Sequence, residues 1–217
     1  MTARQPHPSA TLGNGFTSHA GVGVLLVNLG TPSEPTPGAI AAYLREFLSD
    51  RRVVDLPRAL WLPILYGLIL PLRPWRLARA YEKIWTAEGS PLLTISLRQM
   101  SAVQQTLGPD VVVALGMRYG HPGVAAALKM LERHGVRRVL VLPLYPQYSA
   151  STTASALDAV FAALARERWL PELRTVNHYH DHPDYVAALA QSVRAHWADH
   201  GRGDHLLMSF HGVPRRY

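Results

Sequence analysis

The sequence predicts an α/β fold: a doubly wound parallel sheet with helices packed on both faces. Three observations carry this. Short β-branched runs alternate with longer helical patterns along the chain. The runs around Val111 and Val139 are apolar at nearly every position, as strands covered on both faces are. Gly108 and Gly135 stand where helices should stop and the chain should turn back toward a strand.

The elements follow in order. Residues 1–20 lack the continuous apolar run of a secretory leader and read as a flexible tail. A first strand is expected over 22–28 and a first helix over Pro37–Ser49. A weaker strand at 53–55 precedes helices at 58–70 and 74–85, with the prolines between them as the break. Helix Pro91–Leu107 leads to a strand at 111–115. In the next helix, 122–134, Val124, Leu128 and Leu131 share one face while Lys129, Glu132 and Arg133 lie mostly away from it. A strand at 138–142, a helix at 152–168, a strand at 174–179, helix Pro183–His200 and a strand at 205–211 complete the pattern. The composition shifts near 178–184, which places a first α/β unit at 21–178 and the start of a second at 179–217. Tyr217 follows a predicted strand end directly, so the second unit is expected to be truncated.

Composition narrows the function classes. The 217 residues are 48% apolar and 17% charged, which excludes intrinsic disorder. There is no cysteine, so thiolate nucleophiles, disulfides and Cys-ligated metals are excluded within these residues. The apolar run at 59–72 is interrupted by Pro63 and Pro71 and falls short of the roughly 20 residues a membrane span needs. The formal charge is +7, but the basic residues come as isolated pairs at 51–52, 137–138 and 215–216, with no nucleic-acid reader motif. Phosphate-binding and hydrolase signatures are also missing: there is no G-x-x-x-x-G-K-[ST] and no G-x-S-x-G. Gly21 and Gly23 precede their strand, where a dinucleotide fingerprint would follow it.

In doubly wound sheets ligands bind at the carboxyl ends of strands. These ends are 28–32, 117–122, 143–149, 179–183 and 211–217. In SFHGVPRRY, His211 follows an apolar run, and its imidazole is suited to accept a proton, ligate a metal or simply hold a loop. In GMRYGHP, Arg118 is placed either to grip a carboxylate or to cap neighbouring carbonyls, beside the ring and hydroxyl of Tyr119. LPLYPQYSASTTAS supplies a helix N-cap within 149–153, which can double as an anion site. The histidines at 178, 180 and 182, with Asp181 and Asp184, read either as a metal set or as a His-rich loop. His196 and His200 form an i,i+4 pair at a helix end.

Six blocks, taken in order, resemble the ferrochelatase family, and its proteobacterial members most of all. They are LLVNLGTP (25–32), FLSDRRVVD (47–55), GSPLL (89–93), MRYGHP (117–122), LPLYPQYSASTT (142–153) and SFHGVPRRY (209–217). The resemblance implies two similar doubly wound domains with a cleft between them. It implies a lyase of haem biosynthesis that inserts ferrous iron into a free-base porphyrin, with Fe2+ as substrate and no tightly bound cofactor. Both protoporphyrin IX and coproporphyrin III are compatible. The alternatives are a porphyrin- or haem-binding protein of the same fold and a cobalt or nickel chelatase of a related tetrapyrrole.

By the same resemblance, His211 matches the family's catalytic histidine, as base or metal ligand. Arg118 and Tyr119 match a pair lining the pocket, Leu29 faces the porphyrin from the other side, and Tyr145 and Tyr179 match wall positions. Ser90 and Arg73 match residues near the propionates. The stretch 56–72 matches a hydrophobic lip, to be weighed against an ordinary core helix. The implied location is cytoplasmic, with peripheral contact at the inner membrane, and no nucleic-acid partner. The sequence departs from the family in two ways. The family's catalytic glutamate has no counterpart by motif between Glu34 and Glu172, and the loop 81–91 is less glycine-rich than in relatives.

Overall fold

The structure is a computed structural model that describes residues 21–217; the tail expected at 1–20 lies outside the described residues. Four strands form one parallel sheet in the order β2-β1-β3-β4. They are β1 (Val22–Gly30), β2 (Val111–Tyr119), β3 (Arg138–Pro143) and β4 (Glu172–Thr175). Val22 aligns with both Val111 and Arg138, and Val27 with Gly116 and Pro143, so β1 is a central strand.

Among the described residues seven α-helices accompany them: α1 (Pro37–Ser49), α2 (Arg58–Ile64), α3 (Leu70–Ile84), α4 (Pro91–Leu107), α5 (Val124–Arg133), α6 (Ser155–Leu164) and α7 (Pro183–His200). Side chains alternate across β1 as strand geometry requires. Leu25 and Val27 enter one core with Val139 and Val141, Leu128 and Leu131 of α5 and Val160 of α6. Val24 and Leu26 enter the other with Val113, Leu115 and Met117, covered by Leu93, Met100 and Val103 of α4. Each fully buried aliphatic side chain contributes about 1.5–3 kcal/mol, so the two layers fix the sheet's register. A third cluster joins Ile40, Tyr43 and Leu44 of α1 to Ala78 of α3 and Tyr119 at the end of β2. It sets α1 and α3 over the carboxyl edge of the sheet.

Several expected elements differ. The helices expected at 58–70 and 74–85 form one continuous rod: α2, a π turn at Leu65–Ile69, then α3. The π turn shifts the hydrogen-bond register, with Leu70 N–H reaching Leu65 O, and Pro71 follows directly after it without breaking the rod. Residues 53–55 form no strand: a turn over 51–53 ends at Val53, and the amides of Val53 and Val54 both bond to the Asp50 carbonyl. The last sheet strand starts two residues before the expected 174: Glu172 N–H bonds to Arg137 O, and the chain leaves the sheet after Thr175. The helix expected at 152–168 is an Ala150–Ala154 π turn followed by the shorter α6. Its N-cap is Ser149, whose hydroxyl accepts from Ser151 N–H.

Residues 205–211 form no strand. A parallel strand exists only through a neighbour's hydrogen bonds, and among the described residues no strand pairs with this segment. Leu207 and Phe210 are 93% and 78% exposed there. Helix α7 buries none of its residues. Tyr217 O accepts from Ala150 N–H at 3.0 Å, and Arg216 pairs with Asp55 at 3.3 Å.

Two glycines let the strand ends pass each other. Gly30 has φ +103° and Gly120 φ +80°, the left-handed region that L side chains avoid. A Cβ at Gly30 would overlap the Tyr119 carbonyl oxygen, and one at Gly120 would stand 2.7 Å from the Thr31 carbonyl oxygen. Gly30→Ala is therefore expected to cost about 3 kcal/mol or more in urea unfolding. Gly38→Ala, at a helical position with open space around it, is expected to leave stability unchanged or slightly raised.

Candidate functional site

The carboxyl edge of the sheet carries the candidate site. At the end of β1, the NLGTP turn is locked: Asn28 Oδ1 accepts from Leu29 N–H at 2.8 Å, and Asn28 Nδ2 donates to Ser96 Oγ of α4 at 2.9 Å. Leu29 is half-buried against the α1–α3 cluster. Ser90, buried at the start of α4, donates to Thr31 Oγ1 at 2.9 Å. Beside them opens a cleft of about 410 Å³ between the β1 turn, α1, the 85–90 turn and the end of β2, with Tyr43, Glu46, Trp85, Ser90 and His121 on its walls.

Behind the end of β2, among residues that do not themselves line this cleft, a polar and aromatic cluster is organised by a residue that motif reasoning does not single out. Asp50 Oδ2 accepts from Arg118 Nη2 at 2.5 Å, from Ser155 Oγ at 2.5 Å and from Tyr119 Oη at 2.8 Å. Its Oδ1 accepts from Arg52 N–H at 2.7 Å. Arg118 Nε donates to Ser155 Oγ at 2.7 Å, and the guanidinium stands 4.5 Å from the Tyr119 ring centre. The Asp50 side chain is 8% exposed and that of Arg118 22%. Burial pushes the Asp50 carboxyl up. The bonds from Ser155, the Arg52 amide and Tyr119, with the charge of Arg118, outweigh it and hold the group below its ordinary value.

Asp50 is the C-cap residue of α1, where the helix dipole disfavours an acid. That misfit is the signal available in the sequence: an aspartate there needs a cation, and Arg118 supplies it. Arg118 thus grips a carboxylate as its guanidinium suggests, but the carboxylate is the protein's own.

Tyr145 completes the wall. Its hydroxyl is buried and has no hydrogen-bond partner among the described residues, as is also true of Thr153 Oγ1. Burial, then the neighbouring phenols Tyr119 and Tyr43, push its ionisation upward. Tyr119 and Tyr43 are raised mainly by burial as well. All three phenols are neutral donors at physiological pH. Phe47 and Tyr43 pack edge-on against Tyr119 at 5.2 and 6.4 Å between ring centres. The result is a rigid, nearly charge-balanced aromatic wall.

The structure thus brings Leu29, Ser90, Arg118, Tyr119 and Tyr145 to one edge. Arg73 lies exposed on α3. Tyr179 is half-buried before α7, its ring edge-on to Tyr185 at 5.3 Å. His211 is exposed within the irregular 201–217 segment. A separate apolar cavity of about 240 Å³, lined by Leu128, Leu131, Val139 and Trp169, lies between α5 and α6 and shares none of these residues.

A family model described as Ferrochelatase matches residues 21–217. Among similar proteins, a ferrochelatase of Edwardsiella ictaluri is 57% identical over 195 residues, covering 90% of this chain and 61% of that protein. A ferrochelatase of Aeromonas hydrophila subsp. hydrophila is 54% identical over 198 residues, covering 90% and 61%. A ferrochelatase of Marinobacter nauticus is 50% identical over 200 residues, covering 90% and 54%. The chain spans between 54% and 61% of the length of these three relatives. With a family match that runs from the first residue of the sheet domain to Tyr217, and a carboxyl edge built from that family's motif blocks, the chain belongs to the ferrochelatase family.

Proposed function

We propose that the whole protein is a ferrochelatase, inserting ferrous iron into a free-base porphyrin, protoporphyrin IX or coproporphyrin III, and releasing two protons. The observation that carries this is the family match over 21–217, within which the motif blocks supply the aromatic wall held by Asp50. A flat macrocycle hides its nitrogen lone pairs, so insertion requires walls stiff enough to hold the ring and bend it. Leu29 is proposed to face the ring, with Tyr119, 1% exposed, and Tyr145 stiffening that wall from behind.

Two donors of Arg118, Nε and Nη2, are already engaged by Ser155 and Asp50. We assign Arg118 to the wall and the exposed Arg73 to the propionates, with Ser90, whose hydroxyl proton is donated to Thr31, shaping the cleft near them. Tyr179 would face the ring from the start of the second unit, which we take to begin at 179. His211 would accept a pyrrole proton or ligate the entering iron. Either role uses the lone pair of a neutral imidazole.

We also propose peripheral contact with the inner membrane on the cytoplasmic side through 56–72. Leu60, Leu68 and Leu72 are 59%, 57% and 60% exposed, and Trp75 68%, which forms a lip of the kind that enters a membrane interface. No helix among the described residues is long and apolar enough to cross a membrane.

The test is metal insertion by the protein at its full natural length, followed by absorbance under anaerobic conditions with ferrous iron. Formation of the metalloporphyrin from either porphyrin supports the reading. Porphyrin binding without turnover would overturn it in favour of a carrier. Turnover confined to cobalt or nickel with a sirohydrochlorin-type ring would overturn it in favour of the related chelatases. Sedimentation with anionic lipid vesicles, lost in Leu68→Ser/Leu72→Ser, checks the membrane contact.

A further inference from the structure

The loop ahead of α7 carries His178, Tyr179, His180, Asp181 and His182. The ring nitrogens of His178 and His180 and a carboxylate oxygen of Asp181 lie within 4.8 Å of one another. The imidazoles stand 5.4 Å apart between ring centres, and His178 Nδ1 is 3.7 Å from Asp181 Oδ1. First-row ions such as zinc bind these donors at roughly 2.0–2.2 Å, which sets tetrahedral donors about 3.3–3.6 Å apart, so the widest pair closes by at most about 1.5 Å. His178 and Asp181 are 52% and 70% exposed, which leaves both side chains free to make that swing.

The backbone beneath them is fixed. Tyr179 turns inward onto Tyr185, so its neighbours 178 and 180 face outward together, as alternate residues of an extended segment do. The amides of Tyr179 and His180 both donate to Pro146 O, at 2.9 and 3.1 Å. His182 N–H donates to Tyr179 O at 3.1 Å, closing a turn that returns Asp181 to His178. His182 is not a member of the set: its Nδ1 accepts from Asp184 N–H and caps α7.

From this we propose that His178, His180 and Asp181 form a divalent-metal site. Two imidazoles and a carboxylate select an intermediate first-row ion such as Zn2+, Co2+ or Ni2+ over Mg2+ or Ca2+. Three protein ligands leave a tetrahedral ion one open position, so the ion is exchangeable and able to take a further ligand. The site rests on the loop's own geometry and does not depend on the function proposed above.

The test is calorimetric titration of the full-length protein with Zn2+, paired with the visible spectrum of bound Co2+. The ligand variants are His178→Ala/His180→Ala and Asp181→Asn, each compared with wild type by circular dichroism. One zinc equivalent is expected to weaken at least about tenfold in Asp181→Asn and to disappear in the double variant, with its cobalt bands. That equivalent should persist in His182→Ala and in His196→Ala/His200→Ala, whose stacked rings, 4.3 Å apart, are the competing pair. Unchanged zinc stoichiometry and affinity in the 178/180 variant would overturn the proposal. So would loss of the same equivalent in the 196/200 variant alone.

Discussion

Replacing Asp50 with alanine is expected to lower unfolding stability by about 3 kcal/mol, the lower end of what removing one partner of a buried ion pair costs. The change strips an acceptor from Arg118, Tyr119 and Ser155 together. Arg118 retains 22% exposure, so some water reaches it, which is why the lower end applies. Asp50→Asn should cost less, because the amide keeps the shape and one acceptor oxygen. It also turns the contact with the guanidinium into one without charge pairing. Urea unfolding of the three proteins, with equal slopes, checks the order wild type, Asn, Ala.

The same network predicts a pH signature. The Asp50 carboxyl is held below its ordinary value of 3.8 in the folded protein. The folded state therefore binds fewer protons than the unfolded state in that range, and stability rises with pH there. The contribution of Asp50 is fully present above the unfolded value and is lost as pH falls through the folded value beneath it. Melting temperature measured downward from neutral pH should fall less steeply below pH 3.8 in Asp50→Asn than in wild type. Equal acid limbs would show that Asp50 is not held ionised by its partners. Under the proposed function, the loosened Arg118–Tyr119 wall is expected to show first as a raised KM for porphyrin in the whole protein, with a smaller change in kcat.

The elements with local signals were legible in the sequence, and those defined by partners were not. α1, α4 and α7 begin and end at the predicted residues, and each opens with a proline in its first turn. Gly108 and Gly135 adopt the left-handed conformation that their helix stops require, both at φ 73°. The π turn that merges α2 with α3 has no compositional mark, because it is a register shift in the backbone ladder. Val53 is β-branched, but its amide is taken by the Asp50 carbonyl before any strand can claim it. Residues 205–211 have the apolar pattern of a strand and no neighbour among the described residues.

The site divides along the same line. Arg118 and Tyr119 are legible because their motif lies at the carboxyl end of a strand, and they do meet that edge, although β2 runs on to Tyr119 and contains them; Tyr145 is legible by resemblance alone. Asp50 was hidden because its partners lie 68, 69 and 105 residues away in the chain. Only the packing of α1 and α6 against the end of β2 brings them together. Arg73 was singled out by resemblance alone, and the catalytic role of His211 rests on the same resemblance. Both lie at exposed positions, where packing leaves no signal to read.

The proposed function is tested most directly by the rate of ferrous iron insertion in His211→Ala, set against wild type at full natural length. An imidazole that takes a pyrrole proton contributes about 10²–10⁴-fold. The variant is expected to lose at least about a hundredfold in kcat while its porphyrin affinity and circular dichroism stay unchanged. Because His211 is exposed, its removal should not disturb the fold. A variant that inserts iron within about twofold of the wild-type rate would contradict the assignment of His211 to the chemistry.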